Sequence, residues 1–184
     1  MAGGLSYREA GVDIDHADAV KRFFAESMHK GMSPRVLSRV GAFAALYDLH
    51  FRELSSPVLV VKTEEPGSKQ LLAAQHGRLP DVAYDLINHL LNDTVLVGAK
   101  PLGVVDTIVC GKLQGEMVSK LVANMTEACR AQGCDLVGGE TSEQPGVLAE
   151  GVYVLSAAAF GIVDRSRIIA VSYTHLTLPT IYSV

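Results

Sequence analysis

Cysteine is scarce: Cys110, Cys129 and Cys134 are the only three. An odd count without metal-type spacing supports reduced, partly buried thiols and excludes a disulfide framework. Basic residues hold no majority. Lys and Arg number 16 against 20 Asp and Glu, giving a net charge of −4. No basic stripe is visible, which argues against nucleic acid as a main partner. No apolar stretch is long enough to cross a bilayer, and no apolar run follows a basic start. The expectation is a soluble, cytosolic protein with no membrane partner. Internal repeats and low-complexity tracts are absent. So is the Gly-x4-Gly-Lys-Ser/Thr spacing of a P-loop. Apolar material is plentiful, at 48% of 184 residues, enough for a real core in one domain or one and a fraction.

The first 19 residues are polar and without a clear period, either a loose arm or an arm that closes over a ligand. Asp15 could cap a helix from Ala17 to Met28, ended by Gly31 and Pro34. Val36 to Leu49 is apolar, with small residues around Phe43, and reads as core or interface. Val58 to Thr63 is a continuous β-branched run, expected to be a buried strand. It leads into Glu64-Glu65-Pro66-Gly67-Ser68-Lys69. Such a segment is either a charged surface turn or a site where acids hold a metal and a lysine holds a phosphate.

Asp81 to Val97 has the clearest helical period, with Pro80 at its start and Gly98 at its end. Its polar face carries Asp85, His89, Asn92 and Asp93, neighbours at spacings of three and four. His89 by itself reads as a solvated or satisfied histidine. A carboxylate at Asp93 opposes the helix dipole and suggests a cation nearby. Leu102 to Cys110 is a second strand with Asp106 inside it. That acid is either on a solvated face or buried and in need of compensation. Gln114 to Gln132 is a second amphipathic helix whose Met117 and Met125 read as core. Val152 to Val163 is a final strand, rich in small residues.

Between these elements lies Cys134-Asp135-Leu136-Val137-Gly138-Gly139-Glu140-Thr141-Ser142-Glu143-Gln144-Pro145-Gly146. A short buried strand, Asp135 to Val137, is expected to break at the paired glycines. Glycines can take φ > 0 or lie close against a ligand. The adjacent acid and hydroxyls supply hard oxygen donors of the kind Mg²⁺ prefers. A metal–phosphate loop and an ordinary Gly-Gly bend are both open readings. The order β–α–β–α–β–β after a helical start predicts an α+β, ferredoxin-like mixed sheet with helices on one face.

Four stretches resemble phosphoribosylformylglycinamidine cyclo-ligases, the AIR synthetases. They are Tyr7-Arg8-Glu9-Ala10-Gly11-Val12-Asp13-Ile14-Asp15, Asn92-Asp93 with Gly98-Ala99-Lys100-Pro101, Gly111-Lys112-Leu113, and Gly133 to Thr141. The resemblance covers about residues 5–170 and only the family's N-terminal domain. It divides the chain into an arm with helices (1–55), an ATP-binding α+β domain (56–170) and a tail (171–184). The tail resembles a translated sequencing adapter and is expected to be foreign, with a C-terminal domain missing. The resemblance implies ATP- and Mg²⁺-dependent closure of formylglycinamidine ribonucleotide to aminoimidazole ribonucleotide in purine biosynthesis. It also implies a homodimer formed through the sheet.

Carried onto matching positions, the resemblance makes Lys69 a phosphate cation and Asp106 a site acid. Glu64, Asp93 and Glu140 become metal-side acids. Asp13, Asp15, Gly67, Ser68, Asn92, Gly138, Gly139 and Thr141 become nucleotide-binding, with the 7–15 arm as a lid. One departure stands out: the family's Thr-Asp-Gly-Val-Gly-Thr-Lys is here Thr63-Glu64-Glu65-Pro66-Gly67-Ser68-Lys69. His89 also falls where an apolar residue is usual. Other ATP-using relatives of the same fold, such as thiamine-monophosphate kinase, selenophosphate synthetase or a hydrogenase-maturation protein, are the alternative enzymes. A non-catalytic dimerisation or nucleotide-binding module is the alternative of another class. As it stands, the chain is expected to have little or no activity alone.

Overall fold

A computed structural model describes Met28, residues 31–39 and residues 41–170. The expected arm with Asp13 and Asp15, the tail, and all of the first helix but Met28 lie outside these residues. Among these residues the strands and α-helices follow in order: β1 (Pro57–Glu64), α1 (Lys69–Gln75), α2 (Leu79–Leu96), β2 (Lys100–Cys110), α3 (Gly115–Ala131), β3 (Asp135–Glu143) and β4 (Tyr153–Asp164). The four strands form one mixed sheet in the order β1-β4-β2-β3. β4 runs antiparallel to both β1 and β2, while β2 and β3 are parallel neighbours joined through α3.

α2 packs on β1, β4 and β2, α3 packs on β3 and β2, and the two helices pack on each other. The α+β sheet with helices on one side is as the sequence pattern predicts. Its core follows from matched periods. Leu86, Ile87 and Leu90 of α2 and Val118, Leu121 and Met125 of α3 are buried against Val104, Ile108, Leu136 and Leu155 of the strands. Each such large side chain contributes about 1.5–3 kcal/mol when taken fully out of water. Met125 is core, as its helical spacing predicts.

Three expectations change. β1 is an edge strand, not a buried one: Leu59 and Val61 are 54% and 64% exposed. Alternation aims them away from the helices, and no described element covers them. The segment around Phe43 is not core in this chain, because its ring is fully exposed and the backbone there is turn. The paired glycines do not bend the chain. β3 runs through them to Glu143, hydrogen-bonded to β2 past a bulge between Val104 and Val105. The ladder supplies the backbone partners, and neither Gly138 nor Gly139 has positive φ.

Gly139 serves close approach instead. A Cβ there would stand 2.1 Å from Oδ1 of Asp106.

Candidate functional site

The register brings Glu64, Ala157, Asp106 and Gly139 into one row across the four strands. Period-two alternation turns Lys62 and Glu64 of β1 toward the helix side. One helical turn separates His89 from Asp93 on α2, so both side chains can face β1. The Lys62 ammonium lies 2.9 Å from Oδ2 of Asp93 and 3.1 Å from Oε2 of Glu64. Its pKa is raised, first by the hydrogen bond to Asp93 and then by that to Glu64. Glu64 is held below the usual carboxylate range by the Glu65 amide and then by Lys62. The imidazole Nε2 of His89 stands 4.0 Å from the same Glu64 oxygen. One ligand atom from each of Glu64, His89 and Asp93 falls within 4.8 Å of the other two.

The cation that Asp93 calls for near the end of α2 is therefore present, and it is Lys62. Reading β1 by alternation would have placed Lys62 beside Glu64. Its partner on α2 could not be read without the packing of α2 on β1.

Lys69 opens α1, exposed, and its ammonium is paired with Asp85 of α2. Gly67 takes φ +63, and its amide donates to Oε2 of Glu65 at 2.7 Å. That positive φ is the turn that lets β1 pass into α1. Ser68 caps α1 without a side-chain hydrogen bond, and Asn92 is exposed on α2.

Asp106 is 7% exposed. Burial, and the nearby charge of Glu140, push its pKa up to about 7. It therefore lies on the buried side of the two readings. Gly138, Gly139 and Thr141 line β3 beside β2. Glu140 pairs across from Thr107, one residue out of step with Asp106, so it faces the side away from the helices. Three strand spacings, roughly 14 Å, separate β3 from β1. The structure thus unites Glu64 and Asp93, adds His89 and Lys62, and leaves Glu140 outside that cluster.

Two carboxylates fit a divalent cation. An imidazole nitrogen is a donor that Mg²⁺, an oxygen-seeking ion, does not favour.

Asp164 is a second feature with no clear signal in the sequence. Its carboxylate accepts from the Ser55, Ser56 and Ser166 amides and from the Ser55 and Ser166 hydroxyls, tying the start of β1 to the end of β4. These donors hold its pKa far below the usual carboxylate value.

Over residues 43–163 the chain matches the family described as AIR synthase related protein, N-terminal domain. It is 42% identical over 166 residues to phosphoribosylformylglycinamidine cyclo-ligase of Magnetococcus marinus, covering 90% of this chain and 47% of that protein. To the protein of the same name from Carboxydothermus hydrogenoformans it is 41% identical over 165 residues, covering 90% and 48%. The chain thus spans about half the length of the curated relatives it matches. Among solved structures, hydrogenase maturation protein HypE in complex with ATP aligns with a TM-score of 0.58 at 18% identity, over 88% of this chain and 43% of that one. Thiamine-monophosphate kinase from Stenotrophomonas maltophilia aligns with a TM-score of 0.54 at 18% identity, over 86% and 44%. At such identities the likeness is one of fold.

Proposed function

The chain belongs to the family described as AIR synthase related protein, N-terminal domain, and from that premise we propose that it is the ATP-binding half of a phosphoribosylformylglycinamidine cyclo-ligase. The observation that carries this reading is 42% identity over 166 residues to a protein of that name. In the proposed reaction ATP gives its γ-phosphoryl group to the formyl amide oxygen of formylglycinamidine ribonucleotide. The ribose-bearing amidine nitrogen then bonds to the formyl carbon and the phosphorylated oxygen leaves as phosphate, so the products are aminoimidazole ribonucleotide, ADP and phosphate. The same reading puts the work in the cytosol.

Phosphoryl transfer depends mainly on positioned cations and on neutralising charge. Lys69, at the head of α1, is proposed to leave Asp85 and take a phosphate oxygen. Gly67 and Ser68 hold the turn before it open to the nucleotide. Asp106 is proposed as the site acid, and the 7–15 arm, with Asp13 and Asp15, as the lid. Asn92, Gly138, Gly139 and Thr141 are proposed nucleotide neighbours. Mg²⁺ is proposed as the ion carried by the nucleotide, with Glu64 and Asp93 beside it, and it would neutralise phosphate charge; Glu140, on the other face of the sheet, is proposed as a metal-side acid apart from that pair. The exposed face of the sheet, with Leu59 and Val61, is proposed as the seam between two copies.

The test is isothermal titration of Mg·ATP into the chain and its Lys69→Ala variant. The reading expects saturable binding that weakens about tenfold or more in the variant, the scale of one lost charge-assisted phosphate contact. Equal affinity in the two proteins would remove Lys69 from the site.

A further inference from the structure

The cluster at the β1–α2 contact has a composition of its own: two carboxylates, one imidazole and one ammonium. Glu64 and Asp93 come from different elements, yet both reach the same ammonium, that of Lys62. Two carboxylates turned toward one point repel unless a cation lies between them, and here the chain supplies that cation itself. The space between them therefore accepts a positive charge. His89 adds a nitrogen donor at the same point, 4.0 Å from Oε2 of Glu64.

Donor atoms around a zinc-sized ion stand roughly 3–4 Å apart. The donor atoms here lie within 4.8 Å, so a small closing of flexible side chains brings them to that spacing. Lys62 and Asp93 are about one-third exposed and His89 about one-half. Solvent and ions can therefore reach the cluster, and the lysine has room to swing out.

We propose that Glu64, His89 and Asp93 form a one-nitrogen, two-carboxylate site for a borderline divalent cation of the Zn²⁺ or Co²⁺ class, and that the metal and the Lys62 ammonium occupy it in alternation. This rests on the reading of Glu64 and Asp93 as metal-side acids and departs from it in the choice of ion. Without metal, Lys62 bridges the two carboxylates and offsets one of their two charges. With metal, the lysine is displaced and its charge is freed at the mouth of the cluster. The imidazole sets the preference, because nitrogen ligands suit Zn²⁺ and Co²⁺ better than Mg²⁺.

The experiment is Co²⁺ titration of the untagged, nucleotide-free chain, followed by visible absorption, with Zn²⁺ and Mg²⁺ as competitors. The variants are His89→Leu, His89→Gln, Lys62→Met and, as a distant control, Glu116→Gln, with circular dichroism to establish that each is folded. The expected result is one saturable Co²⁺ site displaced by Zn²⁺ and not by equal Mg²⁺. Its absorption bands should be lost in both His89 variants and unchanged in Glu116→Gln. Affinity should rise roughly tenfold in Lys62→Met, the scale of removing one unit charge a few ångströms away in a partly solvated site.

Bands that persist in folded His89 variants would overturn the proposal, as would no gain in Lys62→Met or no saturable Co²⁺ site at all. No nucleotide is present, so a chain that binds Co²⁺ through His89 yet fails to bind Mg·ATP would keep this inference and lose the proposed function.

Discussion

Gly139 makes room for Asp106. A Cβ on this glycine would lie 2.1 Å from the Asp106 carboxylate oxygen and 2.8 Å from its main-chain oxygen. The ladder fixes the main-chain oxygen, so turning the Asp106 carboxylate away relieves the shorter contact and not the one to the backbone. Gly139→Ala should therefore destabilise the chain by about 1–3 kcal/mol, the usual cost of overpacking. Gly138 has nothing within 4 Å of its Cβ position, and its φ is not positive. Gly138→Ala should fall within about 0.5 kcal/mol of wild type. Urea unfolding of the two variants side by side measures the contrast. Equal destabilisation would mean that the space at Gly139 is not what that position requires.

Asp106 should give the stability curve a specific slope with pH. Burial raises its pKa from 3.8 to about 7 in the folded chain. Below about pH 4 the folded and unfolded chains both carry the proton. Between about 4 and 7 only the folded chain keeps it, so this stabilisation is lost as pH rises and is gone above the folded pKa. Relative to Asp106→Asn, wild type should lose on the order of 3–4 kcal/mol across that window. Denaturant midpoints for both proteins from pH 4 to 8 measure the difference. Parallel curves would show that Asp106 titrates normally.

The open face of the sheet should mediate self-association. Leu59 and Val61 point outward from β1, and Val154 of β4 is 40% exposed. Under the homodimer reading, Val61→Glu puts a charge at the seam and should convert a dimer to a monomer. Sedimentation velocity across a concentration series reads this directly. A wild-type chain that stays monomeric at high micromolar concentration would remove the sheet from the interface.

The fold was legible wherever one period ran long enough to be unambiguous. The repeat of Val82, Leu86 and Leu90 marked α2, and Val118, Leu121, Val122 and Met125 marked α3, because burial of one stripe dictates a spacing near 3.6. The residues of β1 identify a strand but not its exposure, and its outer face is open. A run of β-branched residues does not say whether the sheet has a second layer. Paired glycines permit a break into a loop, yet β3 runs through them, and Gly139 serves packing against Asp106, 33 positions earlier in the chain. Local sequence cannot separate those two uses.

The candidate site divides in the same way. His89 and Asp93 share a helix face, which spacing reveals. Their meeting with Lys62 and Glu64 depends on α2 crossing β1, a tertiary fact. The resemblance groups Glu140 with the other acids, and strand alternation puts it on the opposite face of the sheet.

The most direct measurement of the central claim is turnover by the protein that contains this chain, with ATP, Mg²⁺ and formylglycinamidine ribonucleotide. ADP and aminoimidazole ribonucleotide should form in equal amounts, with neither appearing when the ribonucleotide is withheld. ATP hydrolysis that proceeds at the same rate without the ribonucleotide, and yields no imidazole product, would contradict the cyclo-ligase reading.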